Sequence, residues 1–463
     1  MDGRLPREVS EALSTGAGFS LLIKGEPGTG KTMLAFEILD EFGSDNAVYL
    51  STRVSLPALY EQFPWLKERT GFSVVDATKL YISSKAFPKP RSFADLLHAK
   101  VEEAGKPATL VIDSWEAIIA GGREEKKEVL EAAITDLARY YATEYKMNLI
   151  LISETTGITP LDYLVDGIIE MNRITVDYRR GRELVLKKLR GIRIDQHQYA
   201  FTLDGGRFRS FGPFERRKIE KPRRVEPVPN TASHVSTGVK EIDRILGGGL
   251  SKGSTAMVEY GDDLSLLGYQ SIIAHMIINS IKQGTHCVKI PSSGWDERRL
   301  RRGILPFVNE DDYLKYFTVF EIRAEKKEAR DNVKVLDGVI LSEEFRIFRD
   351  YISQLKPPVM VIIGTDWLEY QYRLKALGNF EEALEIFAYW IMELREAGNV
   401  AVFAMPSGGI LGGGLGHMVT TRFKLSVLDK SVVLYCNRPD TKLHSVENII
   451  TEDTLRLKLT PFV

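Results

Sequence analysis

Cysteine is scarce in this chain. Its 463 residues include two, Cys287 and Cys436, too few for a disulfide framework or a cysteine-rich zinc site, and in keeping with a reducing compartment. A charge of one sign is also missing. The formal net charge is -1, so no global field draws the chain to nucleic acid or to a membrane, and any such contact must come from a local patch. No run of about 18 apolar residues suits a membrane span, and no N-terminal apolar stretch suits a signal peptide. These absences point to the cytoplasm. What remains is the composition of an ordinary globular protein, 44% hydrophobic and 27% charged. At roughly 150 residues per domain the length predicts about two to three domains.

The strongest positive signal is Gly25-Glu26-Pro27-Gly28-Thr29-Gly30-Lys31-Thr32, a full match to G-x-x-x-x-G-K-[ST]. Leu21-Leu22-Ile23 before it reads as a buried strand. Met33 and the apolar positions 34, 35, 38, 39 and 42 after it mark one face of a helix. A strand, a glycine-rich loop and a helix start form a phosphate cradle: backbone N–H groups turn inward, and the helix N-terminus favours negative charge. Gly25 to Met33 are therefore the candidate nucleotide-binding residues, with Lys31 directed at the β/γ-phosphates and Thr32 at Mg²⁺. ATP and Mg²⁺ are the expected ligands.

Further strands are expected at Ala47 to Ser51, Leu80 to Ile82, Ala108 to Ser114 and Asn148 to Glu154, with helices at Pro6 to Thr15, Phe93 to Ala104 and Glu124 to Glu144. Strands alternating with helices predict an α/β fold with a mostly parallel sheet flanked by helices. Asp113 closes an apolar run, as does the Mg²⁺-shell acid of P-loop ATPases, and is the second metal candidate; a helix N-cap is the structural alternative for it. Arg182 to Leu189 and Gln198 to Leu203, set around Gly181 and Gly205-Gly206, predict antiparallel strands at the sheet's edge.

The loop, Leu110 to Ser114, Tyr163 to Glu170 and Lys188-Leu189-Arg190-Gly191, in this order, resemble the KaiC-like branch of the RecA/RadA ATPases. The resemblance implies a homo-oligomeric ring, a hexamer among its sizes, with nucleotide at subunit interfaces. It also implies that Lys188 and Arg190 act in trans on the γ-phosphate of a neighbouring copy, where positive charge stabilises the transferred phosphoryl group. One departure stands out. Hydrolysing members carry glutamate after the second strand, where this chain reads Ser51-Thr52-Arg53-Val54. Neither Thr nor Arg is a base at neutral pH, so slow hydrolysis is expected; Glu26, Glu116 and Glu154 are the substitute carboxylates. Leu5 to Val9, Ser51 to Ser55 and Phe63-Pro64-Trp65-Leu66 resemble the archaeal GvpD family, which implies regulation through a protein partner.

Glu215 to Arg224 is a dense basic run, and Val225 to Asn230 turns proline-rich, as in a semi-rigid spacer. The basic run offers an acidic-partner or nucleic-acid contact, but glutamates dilute it and no aromatics interleave for base stacking. Beyond it the chain reads as a worn copy of its first half. Ser236 to Leu250 resembles the opening of KaiC- and RadA-like domains. Gly261-Asp262-Asp263-Leu264-Ser265-Leu266-Leu267-Gly268 takes the loop's place, with Leu267 at the lysine position and Gly268 at the hydroxyl position. Two aspartates repel a triphosphate, and leucines resist the conformations that glycine allows. Aligned on Trp115 and Trp367, Thr365 falls at Asp113. Gly408 to Gly414 reads as a flexible loop. The expected organisation is a P-loop domain over 1–214, a linker over 215–230 and a degenerate RecA-like domain over 231–463. Three functions compete: an ATP-binding regulator, a DNA-dependent recombinase-like ATPase and a KaiC-type autokinase. The missing glutamate and near-neutral charge disfavour the second, Leu267 disfavours the third, and the regulator is the expected function.

Overall fold

The computed structural model describes residues 4–42, 47–68, 72–78, 109–120, 140, 143–214, 225–264, 266–322, 330–372, 374, 380–450 and 455–463. The strand expected at 80–82, the helix at 93–104, most of the helix at 124–144 and the basic run 215–224 lie outside them. The chain divides into two compact units, Met1–Gly212 with Pro461–Val463, and Pro213–Thr460. The return of the last three residues to the first unit has no counterpart in the sequence reading.

The first unit is built on β1 (Ser20–Lys24), β2 (Ala47–Ser51), β3 (Phe72–Asp76), β4 (Thr109–Asp113), β5 (Asn148–Ser153), β6 (Gly167–Val176), β7 (Arg179–Leu189), β8 (Gln198–Thr202) and β9 (Arg209–Ser210). Their order in the sheet is β3-β2-β4-β5-β1-β6-β7-β8-β9. From β3 to β6 all neighbours are parallel; from β6 to β9 they are antiparallel. The parallel strands are apolar on both faces because both faces are covered. Leu21 and Ile23 pack with Leu34, Ile38 and Tyr49 on the side of the helix Lys31–Phe42. Leu22, Leu50, Ile112 and Leu151 pack with Trp115 on the other. Each fully buried Leu or Ile contributes about 1.5–3 kcal/mol.

The β6–β7 hairpin turns at Asp177 and Tyr178, both at positive φ (47° and 65°), with Gly181 inside β7. The glycine pointed to the wrong turn because two non-glycine residues take the left-handed conformation instead. β6 pairs parallel with β1, and β7 and β8 then add antiparallel on this side of the sheet, as expected.

The second unit repeats this plan. Its ten-stranded sheet runs Val333–Leu336, Phe317–Ile322, Cys287–Ile290, Met360–Gly364, Val400–Pro406, Thr255–Tyr260, Thr421–Leu428, Ser431–Arg438, His444–Ile450, Leu455–Pro461. The helix Leu266–Lys282 follows Thr255–Tyr260 as Lys31–Phe42 follows β1. The molecule is thus two tandem RecA-like bodies, each a largely parallel sheet flanked by helices. The proline-rich residues 225–230 are held within the second unit: the amides of Val228 and Asn230 donate to Asn279 Oδ1 and Gln283 Oε1, both at 2.8 Å. One local expectation is corrected. Gly412–Met418 is a helix rather than a loose loop. Glu369 accepts from the amides of Ile410 and Leu411 at 3.1 Å, and a Cβ at Gly414 would lie 2.4 Å from Leu384 Cδ1, so glycine there permits close helix packing. No helix among the described residues is long and apolar enough to cross a membrane.

Candidate nucleotide site

The glycine-rich loop leaves the carboxyl end of β1, where α/β sheets place ligands. Its glycines are used for shape. Gly25, Gly28 and Gly30 hold φ of 152°, 78° and 106°. A Cβ at Gly25 would lie 2.4 Å from Met171 O, and one at Gly30 2.8 Å from Leu203 Cδ1. No other residue fits either position without displacing β6 or the segment after β8.

Lys31 opens the following helix and is buried. Its amine donates to Gly25 O (2.7 Å) and Glu26 O (2.9 Å). Burial holds its pKa below the ordinary lysine value, against the carboxylates of Glu154, Asp113 and Glu116. Beside it, Thr32 Oγ1 donates to Asp113 Oδ2 at 2.7 Å, and Tyr49 Oη donates to the same oxygen at 2.6 Å. Burial raises the Asp113 pKa, more than the Tyr49 and Thr32 hydrogen bonds and Lys31 lower it. A desolvated carboxylate next to a threonine hydroxyl, with an amine alongside, has the donor set that an oxygen-seeking divalent cation and a phosphate chain require.

Two arginines missed in the sequence brace the loop from outside. Arg182 on β7 is buried, and its Nη1 donates to Gly28 O (3.2 Å) and Thr29 O (3.1 Å), while its Nε donates to Val463 O. Arg173 on β6 donates from Nη2 to Pro27 O at 2.6 Å. When loop amides face inward, carbonyls face outward, and these guanidinium groups satisfy them. The clustering of Arg173, Arg179, Arg180 and Arg182 was the available signal, but only pairing of β6 with β1 brings it to the loop.

The strand after the loop helix ends in a fixed turn. Ser51 Oγ donates to Val54 O (2.5 Å), and Thr52 Oγ1 to Asp113 O (2.9 Å) and Ser114 O (3.0 Å). Arg53, between them, forms an ion pair with Glu154. Of the substitute carboxylates, Glu26 is exposed and lies 3.8 Å from Arg173. Glu116 is committed to the end of β5: its Oε1 accepts from Ser153 Oγ and from the amides of Glu154 (2.9 Å) and Thr155 (3.3 Å).

Lys188 and Arg190 lie elsewhere. Lys188 pairs across to Ile168, beside Leu22, and Arg190 follows the level of Asp166, whose carboxylate accepts from Ser20 Oγ at 2.6 Å. Lys188 thus stands level with the middle of β1, about 10 Å before the loop at the usual strand rise, and Arg190 at its amino end, about 13–16 Å before it. The Lys188 amine donates to Asp162 O (3.0 Å) and Val165 O (2.6 Å) of its own chain. Arg190 is exposed and pairs with Asp166 at 3.0 Å. Neither reaches this chain's own loop.

In the second unit the corresponding groups are absent. Leu264 is buried and packs on Gly268, where an added Cβ would lie 2.7 Å from its Cδ1. The strand matching β4 ends in Gly364, which pairs with Ala404. Thr365, which follows it, is fully buried and offers no carboxylate. Lys289, on the strand matching β2, is fully buried, and burial lowers the pKa of its amine to about 8.

Residues 9–190 match the model of the GvpD gas vesicle protein P-loop domain, a span that holds every residue of the site just described apart from Val463, Leu203 and the second unit. Protein GvpD2 of Halobacterium salinarum is 26% identical over 472 aligned residues, covering 95% of this chain and 92% of that protein. Protein GvpD1 of the same organism is 28% identical over 343, covering 70% of this chain and 63% of its own length. With its P-loop cradle, its parallel sheet and these relatives, the chain is a GvpD-like P-loop protein.

Proposed function

We propose that the first unit binds MgATP as a regulatory switch of gas vesicle type, hydrolysing it slowly and acting through a protein partner. The observation that carries this reading is the meeting of Thr32 and Asp113 at 2.7 Å beside the buried Lys31. Loop amides and the Lys31 amine would hold the phosphates. Mg²⁺, held by Thr32 and Asp113, would neutralise phosphate charge. Slow turnover follows from how the nearby groups are occupied. The Thr52 hydroxyl is bound to two carbonyls, Arg53 and Glu154 hold each other, and one Glu116 oxygen is bound to the chain after β5. Among the described residues, no unpaired carboxylate directly follows β2 to polarise water. Lys188 and Arg190, remote from the loop of their own chain, would serve the nucleotide of a neighbouring copy in a homo-oligomeric ring, and the second unit would be scaffold or partner surface without nucleotide.

The test is nucleotide binding by the full chain and by Lys31→Ala, measured by calorimetry with MgATP. Wild type binds one nucleotide per chain and the variant binds none. Retained binding by the variant would move the nucleotide to the second unit.

A further inference from the structure

The pair at the rim of the site is unusual in its placement. β4 lies between β2 and β5 in the sheet. Arg53 follows β2 and Glu154 follows β5, so their ion pair passes over the end of β4, where Asp113 stands. Across two strand spacings, about 10 Å, it forms a bar along the outer side of the metal-binding carboxylate. Both anchors are rigid. Ser51 and Thr52 pin the backbone before Arg53, and Glu116 accepts from the amides of Glu154 and Thr155. The side chains themselves are part-exposed, 43% and 32%, and can exchange partners.

The charges are graded around one point. Among the charged groups acting on the Lys31 amine, Glu154 is the strongest, ahead of Asp113 and Glu116, and Arg53 opposes them. Lys31 is the group that meets the β/γ-phosphates in a P-loop. A terminal phosphate therefore arrives beside Glu154, which repels it, and beside Arg53, whose planar fork binds phosphate oxygens as readily as a carboxylate. A nucleoside diphosphate lacks that group and leaves the pair intact.

We propose that Arg53 is the triphosphate-specificity residue of this site: the terminal phosphate takes its guanidinium from Glu154, so that the Arg53–Glu154 bar opens with a nucleoside triphosphate and stays closed with a diphosphate. The proposal rests on the reading of the first unit as a nucleotide site. It gives that site a means of telling the two ligands apart with no partner subunit.

The test is calorimetric titration of the full chain with a non-hydrolysable MgATP analogue and with MgADP, for wild type, Arg53→Ala, Arg53→Lys and Glu154→Gln. Arg53→Ala is expected to lose about tenfold in affinity for the analogue, the order of one charge-assisted contact, with MgADP affinity within about twofold. Glu154→Gln removes the repulsion and frees Arg53, so it tightens the analogue and leaves MgADP unchanged; Arg53→Lys, which keeps the charge, falls between. Equal losses for both ligands in Arg53→Ala, or no loss for either, overturn the proposal. If Arg53→Ala does not fold, Glu154→Gln decides alone: analogue affinity no tighter than wild type overturns it. A wild-type chain that binds neither ligand defeats the nucleotide reading itself, and a wild-type chain that binds both while Arg53→Ala still discriminates defeats this inference only.

Discussion

Arg182→Ala is the most informative substitution outside the loop, because the side chain touches the loop only at its outer surface. Three carbonyls depend on it: Thr29 O in a buried bond, and Gly28 O and Val463 O in partly buried ones. A buried acceptor left bare costs about 1–3 kcal/mol. Gly28 is exposed and can turn to water, so the loss should total about 2–4 kcal/mol. Some relief opposes it. Burial and the neighbouring Arg180 and Arg173 charges lower the Arg182 pKa to about 10, so removing the guanidinium also removes a strained charge, and the lower end of that range is the better expectation. About 2 kcal/mol should depress the unfolding temperature of the first unit by about 4–8 °C. If about 1.4 kcal/mol of it appears as a loop no longer held for phosphate, MgATP affinity falls about tenfold. Scanning calorimetry and titration calorimetry read the two effects separately. Arg182→Lys keeps a charge but cannot bond to both sides, so it should fall between. An Arg182→Ala chain that melts and binds MgATP like wild type would refute the argument that the outer carbonyls shape the cradle.

The remaining predictions separate structural from functional roles. Lys188→Ala should destabilise the first unit, because its amine closes the carbonyls of Asp162 and Val165; Arg190→Ala should leave stability and single-chain nucleotide affinity unchanged and lower ATP-dependent assembly or turnover, as light scattering and phosphate release would report. Asp162→Ala should cost about 3–5 kcal/mol in urea unfolding, since it leaves the buried Lys24 ammonium, paired with it at 2.8 Å, with only the neutral carbonyl of Gly157, and a loss under about 1 kcal/mol would refute this. Burial pushes the Asp162 carboxyl up, but hydrogen bonds from Lys24 and Thr159 outweigh it and hold the pKa below 3.8. A depressed carboxyl adds stability above its unfolded pKa and loses it as pH falls through the folded one, so the wild-type advantage over Asp162→Ala should fade below about pH 4. Cys287 and Cys436 are both buried, with the Cys287 thiol raised to about 12 by burial; a thiol reagent should find neither in the native chain and both in urea.

Local chemistry explains what was legible. A phosphate cradle needs glycine at positions of positive φ and a lysine and hydroxyl at the helix start, so Gly25–Thr32 announces itself in one dimension. Apolar strands covered on both faces announce a parallel sheet in the same way. The degeneracy of Gly261–Gly268 is equally local, because the lost residue types are themselves the chemistry. Failures arose where conformation outran composition. The hairpin turned on Asp177 and Tyr178 rather than Gly181, and the triple glycine at 412–414 entered a helix because a neighbouring leucine needed the space.

The sequence by itself determined the cradle, the acid at Asp113, the repeated α/β plan and the absence of glutamate after β2, since each depends on residue type at short spacing. Only the tertiary structure decided who surrounds the cradle. Strand order brings β6 against β1, which puts Arg173 and Arg182 on the loop's carbonyls, and sets β4 between β2 and β5, which lets Arg53 reach Glu154 from 101 positions away. It also carries Lys188 to the middle of β1 and Arg190 to its far end, and returns Val463 to Arg182. Such contacts join residues distant along the chain, and their identity follows from register and crossover, which no local pattern encodes.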